Sequence, residues 1–155
     1  MAGRAGMALA RRDGIVAIIV YRRKVLLLRR IWVPFLMSAP GIWSFLTGGR
    51  RRGESYIDAA YREIYEETGI GREMLRLVGR GRSMMLFDPV RRDARWRNML
   101  FIFRSSTGRV RLNFENREYR WAGIGDIVGR RRYTNVFVRD GSVVASVRRS
   151  LEEVG

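Results

Sequence analysis

The chain contains no cysteine and no histidine. Without cysteine there is no disulfide, no thiolate metal site and no thiol nucleophile. Without histidine there is no Ser-His-Asp triad, no His-ligated zinc and no histidine phosphotransfer. Acid–base work near neutral pH falls to carboxylates, tyrosine, lysine or metal-bound water. Lysine is nearly absent too: Lys24 is the single one among 31 basic residues, and the rest are arginine. Little cysteine and much arginine fit heat adaptation and coding bias alike. Acidic residues are scarce, 15 against those 31, which leaves a formal net charge of +16. Such a surplus predicts attraction to polyanions at low salt. Long apolar runs are missing as well. A stretch such as Ile15 to Tyr21 is far too short to span a bilayer, and Met1 to Ala10 has no signal-type apolar core. The chain reads as a soluble, cytoplasmic protein with no membrane partner.

At 155 residues the chain has the length of one ordinary domain that can bury a core. Residues 1–155 are read as a single domain, with 1–13 a flexible or peripheral N-terminus. Gly14 to Tyr21 and Val25 to Arg29 are apolar, β-branched runs, read as strands joined by a turn at Arg22-Arg23-Lys24. Ile31 to Ile42, with Pro34, Pro40 and Gly41, reads as a packed loop. Trp43 to Leu46 alternates like a short strand. Further strands are expected at Met74 to Phe87, Trp96 to Arg104, Val110 to Leu112 and Glu118 to Ile124, with Asp88 to Arg95 a basic connection. A helical turn is expected at Gly125 to Val128. Val143, Val144, Val147 and Leu151 have helical spacing, which predicts a last helix over Ser142 to Glu153. Strands and helices interleave, so the fold class is α/β.

Against the scarcity of acids, one stretch stands out. Gly48 to Ile70, GGRRRGESYIDAAYREIYEETGI, holds five of the 15 acidic residues. Ser55 is placed to cap a helix over Tyr56 to Thr68, with Asp58 in the capping-box position and Gly69 at the stop. Ile57, Ala60, Tyr61 and Ile64 form the stripe that packs on the core. Glu63, Glu66 and Glu67 lie at i, i+3 and i+4, beside one another on that helix. Glu63 and Glu67 repel as a like-charge pair, and Glu66 and Glu67 oppose the dipole at the helix C-terminus, each at about 0.2–1 kcal/mol. A divalent cation between the carboxylates removes the conflict. The glycines at 48, 49 and 53 let backbone approach a ligand closely. Arg62 is spaced to pair with Glu66.

The stretch resembles the signature of the Nudix family, Gx5Ex7REUxEExGU, at every fixed position: Gly48, Glu54, then Arg62-Glu63-Ile64-Tyr65-Glu66-Glu67-Thr68-Gly69-Ile70. Trp43-Ser44-Phe45 resembles the lead-in to that signature, and Arg120-Trp121 a late Trp-bearing strand. The resemblance implies an α/β/α sandwich with a mixed, partly parallel sheet between helices. It implies a metal-dependent pyrophosphohydrolase that cleaves a nucleoside diphosphate linked to another moiety. Glu63, Glu66 and Glu67, with the Gly48 carbonyl, would hold Mg²⁺ or Mn²⁺. Arg62 would steady Glu63, and Glu54 would complete the loop–helix scaffold. The base varies within the family; Glu115 is the first candidate here and Glu118 the second. Leu46 and Thr47 replace the usual Pro and Gly, and Arg51 replaces a common acid, so the substrate subclass stays open.

Arg51 and Arg52 border the expected phosphate site, and with Trp43 they are the candidate substrate contacts. Trp43 reads as packing more readily than as a base-stacking ring. Arginine clusters at 50–52, around Arg91 to Arg97 beside Trp96, at 130–132 and at 148–149 have two readings. One is a phosphate-clamping surface for RNA or a dinucleoside polyphosphate. The other, preferred, is a solvated arginine-rich surface. Three functions are carried forward: hydrolysis of a nucleotide-type small molecule, processing of an RNA 5′ end or dinucleoside polyphosphate, and a binding module without catalysis. The resemblance allows a homodimer, since dimers are common in that family, and leaves the oligomeric state open.

Overall fold

A computed structural model describes residues 10–30, 43–87, 94–127 and 141–152. The expected loop at Ile31 to Ile42, most of the Asp88 to Arg95 connection, and the arginines at 91–92 and 130–132 fall outside the described residues.

Strands β1 (Ala10–Tyr21) and β2 (Lys24–Arg30) form the opening hairpin. Their turn is Arg22-Arg23, and both residues sit at positive φ, 47° and 62°. That conformation suits a two-residue hairpin loop, although asparagine and glycine hold it with less strain. Then come β3 (Trp43–Ser44), β4 (Leu46–Gly49) and helix α1 (Tyr56–Thr68). A 3₁₀ turn at Arg72–Met74 leads into β5 (Leu75–Arg80), followed by β6 (Met84–Phe87), β7 (Ala94–Ser105) and β8 (Asn116–Ala122). Helices α2 (Ile124–Ile127) and α3 (Gly141–Glu152) close the described chain.

The eight described strands form one sheet with the order β3-β2-β1-β7-β5, to which β4 adds on β1, β6 on β7 and β8 on β2. The β1–β7 pairing is parallel from Ala10↔Ala94 to Val20↔Arg104, and the other pairings are antiparallel. Central β1 is apolar on both sides because both sides are covered. Ile15, Ala17 and Ile19 pack with Ala59, Ala60 and Ile64 of α1, while Val16, Ile18 and Val20 pack with Ile127 of α2 and Val147 and Leu151 of α3. The mixed sheet therefore lies between helices, as expected.

Four expectations need correction. Residues 10–13 are not peripheral: they are the first residues of β1 and pair with Ala94 to Arg97. Met74 to Phe87 is not one strand. A register slip lies within β5, between Leu77 and Gly79, but the strand itself ends at Arg80 and pairing resumes at Met84; between them Gly81 donates its N–H to the Leu100 carbonyl at 3.0 Å. Val110 to Leu112 forms no strand; this segment runs beside α1, where the Arg111 N–H donates to the Thr68 carbonyl at 2.8 Å. The late strand begins at Asn116, two residues before the expected Glu118.

Candidate active site

The site begins with how α1 starts and stops. The Ser55 hydroxyl oxygen accepts from the Asp58 N–H at 3.1 Å, and its O–H donates to Asp58 Oδ2 at 2.6 Å. Gly69 takes the left-handed conformation, φ 70°, and its N–H donates to the Tyr65 carbonyl. No basic residue lies in the last turn to balance the acids there.

Arg62 is the hub. Its Nε donates to Glu54 Oε1 at 2.7 Å and one terminal nitrogen to Glu54 Oε2 at 3.1 Å, a forked grip on one carboxylate. That same nitrogen reaches the Gly49 carbonyl at 2.7 Å. The other terminal nitrogen donates to Glu63 Oε1 at 2.7 Å and to Glu66 Oε2 at 3.1 Å. Its side chain is 17% exposed, so this is not an ordinary solvated ion pair. Glu54 also accepts from the Arg51 N–H at 2.9 Å. These contacts, with Arg62 foremost, hold the Glu54 carboxyl below its usual pKa and push the Arg62 guanidinium above its own.

Glu63 lies over Gly48 so closely that a Cβ there would meet its carboxyl carbon at 2.2 Å. Burial pushes the Glu63 pKa up; Arg62 works against that, while repulsion from Glu66 and Glu115 adds to it. Glu66 is 43% exposed and also accepts from Arg51 at 3.3 Å. Glu67 takes a different course. It is 2% exposed, and its Oε2 accepts from the Asn116 amide at 3.0 Å. Glu67 therefore diverges from Glu63 and Glu66, and among the described residues no three acidic side chains meet at a point that would hold a metal. The donors are nonetheless the right kind: Glu63 and Glu66 offer hard oxygen ligands side by side at Arg62, and the missing side chain at Gly48 keeps a notch for the first of them. The Gly48 carbonyl, expected to be a ligand, lies toward β1, 3.0 Å from where a Gly14 Cβ would stand.

The other expected site residues separate into two groups. Glu115 lies within electrostatic reach of Glu63, its N–H anchored on Asn113 Oδ1 at 3.1 Å. Glu118 instead pairs with Arg29 at 3.3 Å across the β2–β8 ladder. Arg51 touches Glu66 and Arg52 is exposed. Trp43 is 7% exposed, packs with Val16, Phe45 and Leu27, and has Arg120 over its ring at 5.0 Å. Its ring is part of the core on the face away from α1, not an open surface for a base. Sequence reasoning missed Asn116, the buried partner of Glu67, and the Asp13–Arg50 pair at 2.8 Å. The only available signal was their position, directly after Glu115 and directly before the expected β1 and after the glycine pair.

The family model of the NUDIX domain matches residues 10–140. An RNA pyrophosphohydrolase of Thioalkalivibrio sulfidiphilus is 47% identical over 45 residues, 29% of this chain and 26% of that protein. The likeness to that relative thus spans about a quarter of its length. An RNA pyrophosphohydrolase of Edwardsiella ictaluri is 25% identical over 134 residues, covering 73% of this chain and 76% of its own. Among solved structures, a C. elegans Ap4A hydrolase binary complex superimposes with a TM-score of 0.73 at 17% identity, over 92% of this chain and 98% of that one. At that identity the likeness carries the fold alone.

Proposed function

This chain belongs to the Nudix family, and we propose that it is a pyrophosphohydrolase that uses Mg²⁺ or Mn²⁺ to cleave the diphosphate bond of a nucleoside diphosphate derivative. The observation that carries this reading is the Arg62 hub, which holds Glu54, Glu63 and Glu66 together at the mouth of the glycine loop. Glu63 and Glu66 would hold the cation, with Glu67 and the Gly48 carbonyl as further candidates. Bound there, the cation would neutralise phosphate charge and lower the pKa of a water. The chain's own part is positioning. Arg62 aims Glu63 and Glu66, and Glu54 fixes Arg62 from the opposite side. Glu115, within electrostatic reach of Glu63, would take the proton of the attacking water. Arg51 and Arg52 flank the loop as exposed cations that attract the substrate's phosphates.

The test is release of nucleoside monophosphate from nucleoside diphosphate derivatives with Mg²⁺, and its loss in Glu66→Gln. Unchanged turnover in that variant would sink the assignment. A second reading is a triphosphorylated RNA 5′ end or a dinucleoside polyphosphate. It draws support from the relatives named RNA pyrophosphohydrolase and from the net charge of +16. It fails if such RNA is ignored while free nucleotides are hydrolysed. A non-catalytic module is the weakest reading, because it leaves the self-repelling acids without a purpose. No described helix is long and apolar enough to cross a membrane. A cytoplasmic location and a homodimer belong to the same proposal.

A further inference from the structure

Asp13, Arg50 and Tyr56 form a polar cluster at the edge of the candidate site. None of them occupies a fixed position of the family signature, and together they join three separate segments. The Arg50 N–H donates to the Asp13 carbonyl at 2.9 Å, extending the β1–β4 pairing by one residue past Gly49. Its guanidinium then grips three points. One terminal nitrogen donates to Asp13 Oδ2 at 2.8 Å, the other to the Glu54 carbonyl at 2.7 Å, and the guanidinium carbon stands 4.7 Å from the centre of the Tyr56 ring. Arg50 foremost, with Tyr56 adding to it, holds the Asp13 carboxyl below its usual pKa. The pair is three-quarters buried, with 26% and 23% side-chain exposure. β1, the end of the loop and the start of α1 therefore meet at one side chain.

The consequence runs through Glu54. Its carbonyl is held by Arg50 and its carboxylate holds Arg62. Arg62 aims Glu63 and Glu66. We propose that Arg50, anchored by Asp13, is a positioning residue: it fixes the backbone of Glu54 and through it the Arg62 hub that aims the carboxylates. This rests on the reading of that hub as the catalytic site. The geometry also says why arginine is needed. A planar fork can serve Asp13 and the Glu54 carbonyl on separate nitrogens while stacking on Tyr56; a lysine ammonium cannot do all three.

The experiment compares Arg50→Met, Arg50→Lys and Asp13→Asn with the parent chain. The first readout needs neither metal nor substrate. It is solvent exchange of the Arg62 Nε–H in ¹⁵N NMR, assigned with Arg62→Lys. Arg50→Met is expected to speed that exchange at least tenfold, with Arg50→Lys and Asp13→Asn in between. The second is kcat and KM at a temperature where circular dichroism shows every variant folded. Arg50→Met is expected to lower kcat ten- to a hundredfold with KM within threefold. Mn²⁺ affinity, read by electron paramagnetic resonance, should weaken several-fold. Unchanged Arg62 exchange in a folded Arg50→Met overturns the proposal, as does a lowered melting temperature with exchange and kcat both at parent values. If the parent hydrolyses nothing, the functional reading fails, and the exchange result still decides the positioning.

Discussion

Gly48→Ala separates stability from activity. A methyl group on residue 48 would stand 2.2 Å from the Glu63 carboxyl carbon and 2.3 Å from its Cγ, where ordinary contact begins at 3.4 Å. The carboxylate must retreat by about 1.2 Å, the difference between the 3.4 Å and 2.2 Å distances. Because Cγ is in the way as well as the carboxyl carbon, the whole side chain must shift, although it is only 13% exposed and held by Arg62. Gly48 is not at positive φ, so alanine adds no backbone strain. The cost to stability should be about 1–3 kcal/mol, a melting shift of roughly 2–12 °C. The cost to function should be large. The retreat exceeds the slack in the 2.7 Å bond from Arg62, so Glu63 loses its aim. A misplacement of about 1 Å costs roughly a hundredfold in rate, or about 2.7 kcal/mol of barrier. The assay is kcat on the best nucleotide substrate beside a thermal melt. A Gly48→Ala enzyme within threefold of the parent kcat would refute the reasoning.

Arg62→Lys keeps the charge but loses the forked grip on Glu54, so kcat should fall at least a hundredfold, measured on the same substrate. Trp43→Leu should cost about 2–4 kcal/mol of stability by denaturant titration and leave KM within twofold, because the ring packs in the core. A rise in KM above tenfold would return Trp43 to the substrate. Glu54 and Asp13 are both held below their ordinary pKa, chiefly by Arg62 and Arg50. The stability they contribute is full above the ordinary carboxylate range and is lost as pH falls through their lower folded values. Melting temperature should therefore drop on acidification below about pH 4.5, and drop less in Asp13→Asn. Arg22→Asn with Arg23→Gly should raise stability by about 1 kcal/mol, since both positions sit at positive φ.

Helix α1 was legible to the residue because its signals are local. Ser55, Asp58 and Gly69 mark its ends, and Ala60 and Ile64 mark the face that packs. The opening hairpin was legible for the same reason, through unbroken apolar runs beside a polar turn. Partners distant in sequence were not. Glu118 and Glu115 look alike in a loop rich in polar residues, yet only strand register sends Glu118 to Arg29 and leaves Glu115 within electrostatic reach of Glu63. Glu66 and Glu67 look alike too. A single step around the helix sends one to Arg62 and the other to Asn116, 49 residues on. Trp43 showed an alternating pattern, which says that one face is buried but not which side the site occupies. The break between β5 and β6, over residues 81–83, is set by how each pairs with β7, a partner distant in sequence.

The central claim is that the carboxylates gathered by Arg62 hold a catalytic divalent cation. The most direct measurement is release of nucleoside monophosphate from a panel of nucleoside diphosphate derivatives and dinucleoside polyphosphates, and of phosphate or pyrophosphate from triphosphorylated RNA. It is run with Mg²⁺, with Mn²⁺ and with chelator, for the parent chain and for Glu63→Gln and Glu66→Gln. The account predicts cleavage of at least one class that chelator abolishes and either substitution reduces at least a hundredfold. Cleavage that survives chelator, or that both variants retain at the parent rate, would contradict it.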